Sequence, residues 1–158
     1  MTRLGRYCGG CMAGLFLNGC AGVVQPVVPP GLDRVAESSV VSTYLITDSI
    51  TLYEGNGHLR HYETIVNYAR PLTNLQIRSA RMSMVVNCLR QQHATLSQGL
   101  YSELFAMGPV RSTPPSAAQW LPIYAQSNIK PVFDRVCGMD AQTLGDFSPA
   151  TAPAGSSR

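Results

Sequence analysis

The sequence predicts an α+β fold, a single domain in which an antiparallel β-sheet carries a C-terminal helix on one face. Three features of the chain support this prediction. Ala80–Cys88 alternates apolar and polar residues, Asn56-Gly57 lies between two runs that favour strands, and four apolar residues near the C-terminus have helical spacing. A period of two places alternate residues on opposite faces of a strand, whereas helical spacing forms an apolar stripe.

The first strands are expected between residues 40 and 68. Val40–Ile46 and Ile50–Tyr53 are short runs rich in β-branched and aromatic residues. Gly55-Asn56-Gly57 follows and is typical of a tight hairpin turn, since Asn and Gly both tolerate positive φ. Leu59–Tyr68 is then predicted to be a long strand, which Arg70-Pro71 ends.

The clearest strand is Ala80–Cys88. Its even-numbered residues are all apolar, and its odd-numbered residues are polar except for Val85, so one face is expected to pack and the other to meet solvent. This pattern places Cys88 on the packed face. Arg90-Gln91-Gln92 suits a turn into Ala94–Leu100, and the two strands are expected to form an antiparallel hairpin.

The C-terminal part is predicted to contain a loop, a helix and a tail. Gly108–Ser116 is rich in Gly, Pro and Ser and is expected to be an irregular loop. Ser127 is the expected N-cap of a helix that ends at Cys137, with Gly138 at the C′ position. The apolar stripe of this helix consists of Ile129, Val132, Phe133 and Val136. Residues 139–158 are predicted to be a disordered tail, because they offer little to bury.

The N-terminus has the order of a secretory signal, with Arg3 and Arg6 before an apolar run and a small residue before a cysteine. Leu17-Asn18-Gly19-Cys20 also resembles the lipobox of bacterial lipoproteins, in which the cysteine is acylated, with palmitate among the attached chains, and becomes the mature N-terminus. We therefore predict a lipoprotein signal peptide over residues 1–19 and lipidation of Cys20. The alternatives are an ordinary signal peptide cut elsewhere and a soluble chain with an apolar start.

Residues 20–39 are expected to form the lipidated N-terminus and a Pro-rich tether, because three prolines between residues 21 and 30 block a regular helix. No other apolar run reaches the roughly 18 residues that span a bilayer, which predicts lipid anchoring rather than a membrane span. Without Arg3 and Arg6 the formal charge of +3 falls to about +1, so nucleic acid has little support as a partner.

The five cysteines separate into three groups under this interpretation. Cys8 and Cys11 leave with the signal peptide, and Cys20 takes the lipid. Cys88 and Cys137 remain as one pair in an exported, oxidising compartment, where disulfides persist. The spacing of Cys8 and Cys11 also suits a redox or zinc motif, but a signal sequence is a poor place for one.

The sequence contains no pattern that predicts an enzyme, a cofactor or a metal site. His58 and His61 are three residues apart in a strand and therefore point to opposite faces, which makes a shared metal ion difficult. Cys88 and His93 could form a nucleophile–base pair, but half of a disulfide is the favoured role for Cys88. A hydrolase with an unrecognised site is the weakest of the alternatives.

A series of short motifs runs through residues 43–138. In order, they are Asp48-Ser49-Ile50, Asn56-Gly57, Asn67-Tyr68-Ala69-Arg70-Pro71, Arg78-Ser79-Ala80, Asn87-Cys88, Tyr101-Ser102, Met107-Gly108, Trp120-x-Pro122, Ser127 and Val136-Cys137. With these motifs the chain resembles the surface-adhesin protein E family of Gram-negative lipoproteins. The resemblance implies that residues 40–138 form a sheet with a C-terminal helix against it and a disulfide joining Cys88 to Cys137. It also implies binding of host extracellular-matrix and serum proteins.

We therefore expect an outer-membrane lipoprotein, on the cell surface or the periplasmic face, that acts as a binding module and adhesin. The expected ligand surface is the sheet face opposite the helix, with Arg78 and Arg81, either His61 or Arg60, and Arg90 at the edge. Guanidinium groups there suit acidic protein segments or sulfated glycans. The alternative is a structural lipoprotein subunit of an envelope secretion or conjugation apparatus, and a homo-oligomer is compatible with both.

Overall fold

The computed structural model describes residues 26–72, 76–113 and 118–148, with only the backbone described at residues 111–113. The predicted signal peptide over residues 1–19, the lipidation site Cys20, the start of the tether and the end of the tail lie outside these ranges. Within them, no helix is long and apolar enough to cross a membrane.

The described residues form nine strands and one α-helix. These elements are β1 (Leu32–Glu37), β2 (Val41–Ile46), β3 (Thr51–Tyr53), β4 (Asn56–Leu72), β5 (Ile77–Asn87), β6 (Gln92–Tyr101), β7 (Val110–Thr113), β8 (Leu121–Pro122), α1 (Lys130–Cys137) and β9 (Asp146–Phe147). The pairing order β1-β2-β4-β5-β6-β7 forms one sheet, in which β3 pairs with β4 and β9, and β8 pairs with β6. Every pairing is antiparallel except that of β3 with β9.

The length of β4, 17 residues, organises this sheet. β5 pairs along one side of β4, from Leu59 opposite Asn87 to Leu72 opposite Ile77. The other side of β4 is shared, because β3 pairs with its first residues and β2 with its later ones. Two grooves, described below, lie near the end of β4.

The helix packs on one face of the sheet and forms the main core. Val132, Phe133 and Val136 of α1 are buried together with sheet residues such as Tyr62 and Met84, which are cross-strand neighbours on β4 and β5. Burying these large side chains removes apolar surface from water, and that removal is the chief force holding the helix in place. The predicted α+β fold with a C-terminal helix on one sheet face is confirmed.

The face opposite the helix is covered at both ends, which the sequence did not predict. At one end, Phe105 from a 3₁₀ turn, Leu104–Ala106, is buried with Tyr44 and Ile65. The rings of Phe105 and Tyr44 meet edge-on, with centroids 5.3 Å apart. At the other end, Phe147 of β9 stacks on His61. This face is therefore not the open, solvated surface that we expected.

A disulfide joins Cys88, just beyond the end of β5, to Cys137 at the end of α1, with Cα atoms 5.6 Å apart. The predicted pairing of these two cysteines is confirmed. Both cysteines pack against the main core, so the bond fixes the last turn of the helix over the sheet.

Three boundaries predicted from the sequence are wrong. Strand β1 lies within the predicted tether, because Leu32 and Val35 reach the two core clusters from a strand of mixed polarity. The predicted disordered tail contains a 3₁₀ turn, Ala141–Thr143, and strand β9, since Leu144 packs into the main core. Strand β7 lies within the predicted loop 108–116 and pairs with β6.

Two local predictions also need correction. The hairpin turn lies at Glu54 and Gly55, with φ of 53° and 67°, because Tyr53 pairs with Asn56 and the Asn-Gly dipeptide already belongs to β4. Ser127 is not the helix cap. Its hydroxyl oxygen accepts a hydrogen bond from the backbone N–H of Tyr124 at 2.9 Å, one turn before α1 begins.

Candidate functional site

The most irregular part of the sheet is a bulge near the end of β4. Asn67 pairs with Ser79 and Leu72 pairs with Ile77, so residues 68–71 of β4 lie opposite Arg78 alone. Pro71 contributes to this irregularity, because proline has no N–H to donate to a neighbouring strand. Such bulges bend a strand and redirect its side chains, and they are common beside functional sites. We call residues 68–71 the β4 bulge.

Two grooves adjoin the β4 bulge. The first, of about 380 Å³, is lined by Arg78 and by residues of β1, β2 and β4 that include Arg34, Tyr44 and Asn67. We call it the arginine groove. The second, of about 550 Å³, is lined by residues 39 and 40 of the β1–β2 connection, by the first residue of β2 and by residues 68–72, among them Arg70. Tyr68 and Ala69 line both grooves, so the bulge forms the ridge between them.

A strained turn forms one wall of the arginine groove. Leu104 lines the groove, and the next two residues, Phe105 and Ala106, both have φ of 57°. This left-handed conformation costs about 1–2 kcal/mol for each residue that carries a Cβ. Two buried side chains on the sheet hold the turn: Asn67 Oδ1 accepts from the N–H of Phe105 at 2.8 Å, and Ser79 Oγ accepts from that of Ala106 at 2.9 Å.

The cations at this end of the sheet differ in their partners. Arg34 pairs with Glu37, with Nη1 and Oε2 3.0 Å apart, although both side chains are exposed. The side chains of Arg70 and Arg78 are exposed and make no hydrogen bond or ion pair with any residue in the described ranges. Their guanidinium groups are therefore available to an anionic ligand at the β4 bulge.

The three predicted ligand-binding arginines do not lie together. Arg81 already pairs with Glu63 across β4 and β5, and its Nε donates to Glu63 Oε2 at 2.9 Å. Arg90 lies on the turn after β5, separated from Arg78 by roughly 30 Å of strand at about 3.3 Å per residue. Of these three arginines, Arg78 lines the arginine groove.

His61 and Arg60 are both buried, so the expectation that one of them lies exposed beside Arg81 is wrong. A hydrogen bond of 2.8 Å joins His61 Nε2 to the Ser83 hydroxyl. Burial lowers the pKa of His61, a shift that Glu63 and the backbone of Ser49 partly oppose. On the other face, Arg60 Nη1 donates to the Gly57 carbonyl oxygen at 2.5 Å, and burial lowers the pKa of Arg60 against the opposing charge of Asp140.

Arg70 and Tyr68 were not predicted as site residues, although the sequence carries a signal for them. In the sequence, Pro71 lies three residues beyond the predicted strand and indicates the end of that strand, whereas β4 continues through Pro71 by bulging.

In the described ranges, no three His, Cys, Asp or Glu side chains are placed to share a metal ion.

The fold and these grooves define a class of protein: a small sheet-and-helix domain with ligand-accessible grooves on its surface. The model of the surface-adhesin protein E family matches residues 32–138, and the chain belongs to that family, which confirms the resemblance noted in the sequence. It is accordingly an adhesin-like surface protein. Comparison with curated proteins gives no match.

Solved structures with the same fold include those of Haemophilus influenzae protein E. One crystal form is 17% identical with a TM-score of 0.61, and the match covers 71% of this chain and 91% of that one. Protein E from non-typeable Haemophilus influenzae is 16% identical with a TM-score of 0.61, and the match covers 78% of this chain and 86% of that one. At this level of identity the likeness shows the fold.

Proposed function

We propose that this protein is an outer-membrane lipoprotein, anchored through Cys20, that binds host matrix or serum proteins through their acidic segments or sulfated glycans. The observation that carries the ligand class is a pair of guanidinium groups, those of Arg70 and Arg78, that lie beside the two grooves at the β4 bulge and have no partner among the described residues. Membership of an adhesin family supports the role.

The chemistry of the bulge suits an extended anionic ligand. A guanidinium group binds a carboxylate or sulfate through two parallel N–H donors, which gives both energy and orientation. Tyr44 and Tyr68 add ring surface to the arginine groove, and aromatic rings and arginines are the residues that dominate many interfaces. Both grooves are open, so a ligand can cross the bulge without having to enter an enclosed cavity.

Arg81 and Arg90 are assigned lesser roles. A ligand anion at Arg81 has to compete with Glu63, and Arg90 is too distant to share one binding site with Arg78. Arg90 would add affinity only for a ligand long enough to follow β5 from end to end.

The ligand proposal is tested with the mature chain, produced without the acyl group, on immobilised heparin and on matrix proteins. We expect binding that weakens as salt rises, because screening reduces the attraction between exposed charges. Arg70→Ala with Arg78→Ala should remove most of the binding, whereas Arg81→Ala should remove little. Arg81→Ala with Arg135→Ala, which also removes two exposed arginines, is the control for net charge. Absence of salt-sensitive binding by the wild-type chain would favour the alternative, a structural subunit of an envelope apparatus.

The anchoring proposal rests on Leu17, Gly19 and Cys20, and Ala21 after the cysteine resembles the signal for outer-membrane sorting. Stable attachment to a membrane takes more than one acyl chain, and lipidation at Cys20 would supply them. Cys20→Ser should therefore release the protein from the membrane fraction or leave uncut precursor. Unchanged outer-membrane fractionation of Cys20→Ser would contradict lipid anchoring at this position.

A further inference from the structure

A cleft of about 260 Å³ lies between the start of α1 and the sheet, on the helix face. The sheet supplies wall residues from β2, β4, β5 and β6, and Ile129 and Val132 supply the helix side. None of the residues that line this cleft lines the arginine groove or the groove beside it. The cleft is therefore a site separate from the arginines proposed above to bind anions.

The described lining of the cleft contains no carboxylate, lysine or arginine. Its apolar walls include Val66, Met82 and Met84, and its polar groups are threonine hydroxyls, one asparagine and His93. Burial lowers the pKa of His93, which favours the neutral form of its ring. An ion entering this cleft would lose hydration without finding an opposite charge, which is strongly unfavourable.

Two polar groups in the cleft lack a normal hydrogen-bond partner. His93 Nδ1 is buried and makes no hydrogen bond to any described residue. Thr64 is 1% exposed, and its hydroxyl finds only the sulfur of Met84, at 4.0 Å. A buried polar group without a partner costs about 1–3 kcal/mol, so a molecule that supplies the missing bond gains affinity from it.

The size and walls of the cleft limit the ligand further. Ligand pockets usually enclose about 300–1,000 Å³, so this cleft suits a small molecule rather than a drug-sized one. Methionine side chains are flexible and polarisable and adapt to rings as well as to alkyl chains. Met82 and Met84 lie on the same face of β5 and can repack around such a molecule.

We propose that this cleft binds a small, uncharged, mainly apolar molecule whose single hydroxyl or amide group hydrogen-bonds to His93 Nδ1. The apolar part of the ligand lies between the two methionines and the first turn of α1. The ring of His93 needs no change of protonation for this role, because a neutral imidazole nitrogen either donates or accepts according to its tautomer.

The test uses the mature chain without the acyl group, with methionine methyl groups labelled with ¹³C and observed by NMR. Three probes share one ring: p-cresol carries a hydroxyl, toluene lacks it, and p-hydroxybenzoate adds a charge. We expect p-cresol to shift the methyl signals of Met82 and Met84 saturably, toluene to bind more weakly, and p-hydroxybenzoate to bind least. His93→Leu should weaken p-cresol about tenfold, the equivalent of one hydrogen bond, and should change toluene binding by less than about twofold.

Two variants fill the cleft with a larger side chain. Using two of them means that the location of the binding site can still be tested if one variant folds poorly. Val66→Phe and Thr43→Leu each place extra carbon in the space, so both should abolish binding of all probes while the melting temperature shows that the chain is folded. His58→Gln, at an exposed position on the same strand as Val66, should leave binding unchanged. Arg70→Ala with Arg78→Ala should also leave it unchanged, which separates this site from the proposed adhesin function.

Three results would overturn the proposal. Methyl shifts that do not saturate mean that the cleft holds only water. Binding that survives both narrowing variants places the probe elsewhere. An equal loss of affinity for p-cresol and toluene in His93→Leu would show that Nδ1 does not hydrogen-bond to the hydroxyl of p-cresol.

Discussion

The imidazole ring of His61 and the phenyl ring of Phe147 lie face to face, with centroids 3.7 Å apart and planes 5° from parallel. His61 belongs to the central strand β4, whereas Phe147 belongs to the last described strand, β9. Backbone hydrogen bonds hold this contact: the N–H of Leu52 donates to the Gly145 carbonyl at 2.7 Å, and that of Glu54 donates to the Phe147 carbonyl at 2.9 Å. The segment after the helix is therefore part of the folded domain.

Replacement of Phe147 tests whether this last strand contributes to stability. Phe147→Ala removes a half-buried ring, so we expect a loss of about 2 kcal/mol, less than the 3–5 kcal/mol of a fully buried phenylalanine. Tyr124→Ala, at an aromatic residue that is 60% exposed, is the control and should change stability by no more than about 0.5 kcal/mol. Urea unfolding measures both. Equal effects of the two substitutions would show that β9 adds nothing to the fold.

The centre of the sheet could be predicted from the sequence, but its edges could not. Alternation along β5 is visible because one face is apolar almost throughout, and its partner strands follow from turns and β-branched residues. β1 and β9 offer no such pattern. β1 contributes two side chains to the cores, β9 contributes one ring that stacks on His61, and both strands pair mainly through backbone groups. Such pairing depends on segments that are distant in the chain, so the local sequence contains no pattern that predicts it.

The sequence located only part of the candidate site, because the site too depends on pairing between distant segments. Arg78 could be named from the sequence, but the β4 bulge that places it beside a groove depends on a register shift between β4 and β5. The expected partnership of Arg78 with Arg81 ignored the period of two, which separates residues three apart. The pairing of Cys88 with Cys137 needed only the number of cysteines and the family resemblance, and it was predicted correctly.

Stability should fall as the pH falls below about 6.5, the usual pKa of histidine in an unfolded chain. Burial lowers the pKa of His61 and of His93 in the folded protein. The unfolded chain therefore takes up protons at a pH where these two rings stay neutral, and protonation favours unfolding. Each ring contributes a slope of at most about 1.4 kcal/mol per pH unit, down to its own folded pKa.

This pH dependence is measured by urea unfolding between pH 5 and 7.5. We expect His61→Gln to reduce the slope and His61→Gln with His93→Gln to remove most of it, whatever each substitution does to stability at pH 7.5. His58→Gln, at an exposed position, should keep the wild-type slope. A slope that is the same in all four proteins would rule out the two buried histidines as its source.

Glycine at position 54 should stabilise the turn between β3 and β4. Glu54 has φ of 53°, and its side chain is exposed and makes no hydrogen bond with the described residues. Glu54→Gly removes the clash of Cβ in the left-handed conformation, so we expect stability to rise by about 1 kcal/mol. Asp146→Gly in strand β9, at an exposed acidic residue whose side chain has no partner among the described residues, is the matched control and should lower stability, because glycine is unfavourable in an extended strand. A loss of stability in Glu54→Gly would contradict the left-handed turn.

The bond between Cys88 and Cys137 compensates for the shortness of the helix. α1 has eight residues, and isolated helices shorter than about 12–15 residues are marginal in water. The bond attaches its last turn to the end of β5, and Val132 and Val136 then complete the burial. Helix, disulfide and main core are therefore expected to depend on one another.

Cys88→Ala with Cys137→Ala should lower the free energy of unfolding by about 4 kcal/mol, the value that the chain-entropy model assigns to a disulfide between residues 49 positions apart. A domain of this size is stable by only about 5–15 kcal/mol, so the variant should unfold at much lower urea concentration. α1 forms one wall of the cleft proposed to bind p-cresol, so the same variant should bind p-cresol more weakly. Heparin binding through Arg70 and Arg78 should persist under conditions in which the sheet stays folded. Reduction of the wild-type chain with dithiothreitol should reproduce both effects. If the variant unfolds at the wild-type urea concentration, the helix is held by its apolar contacts alone.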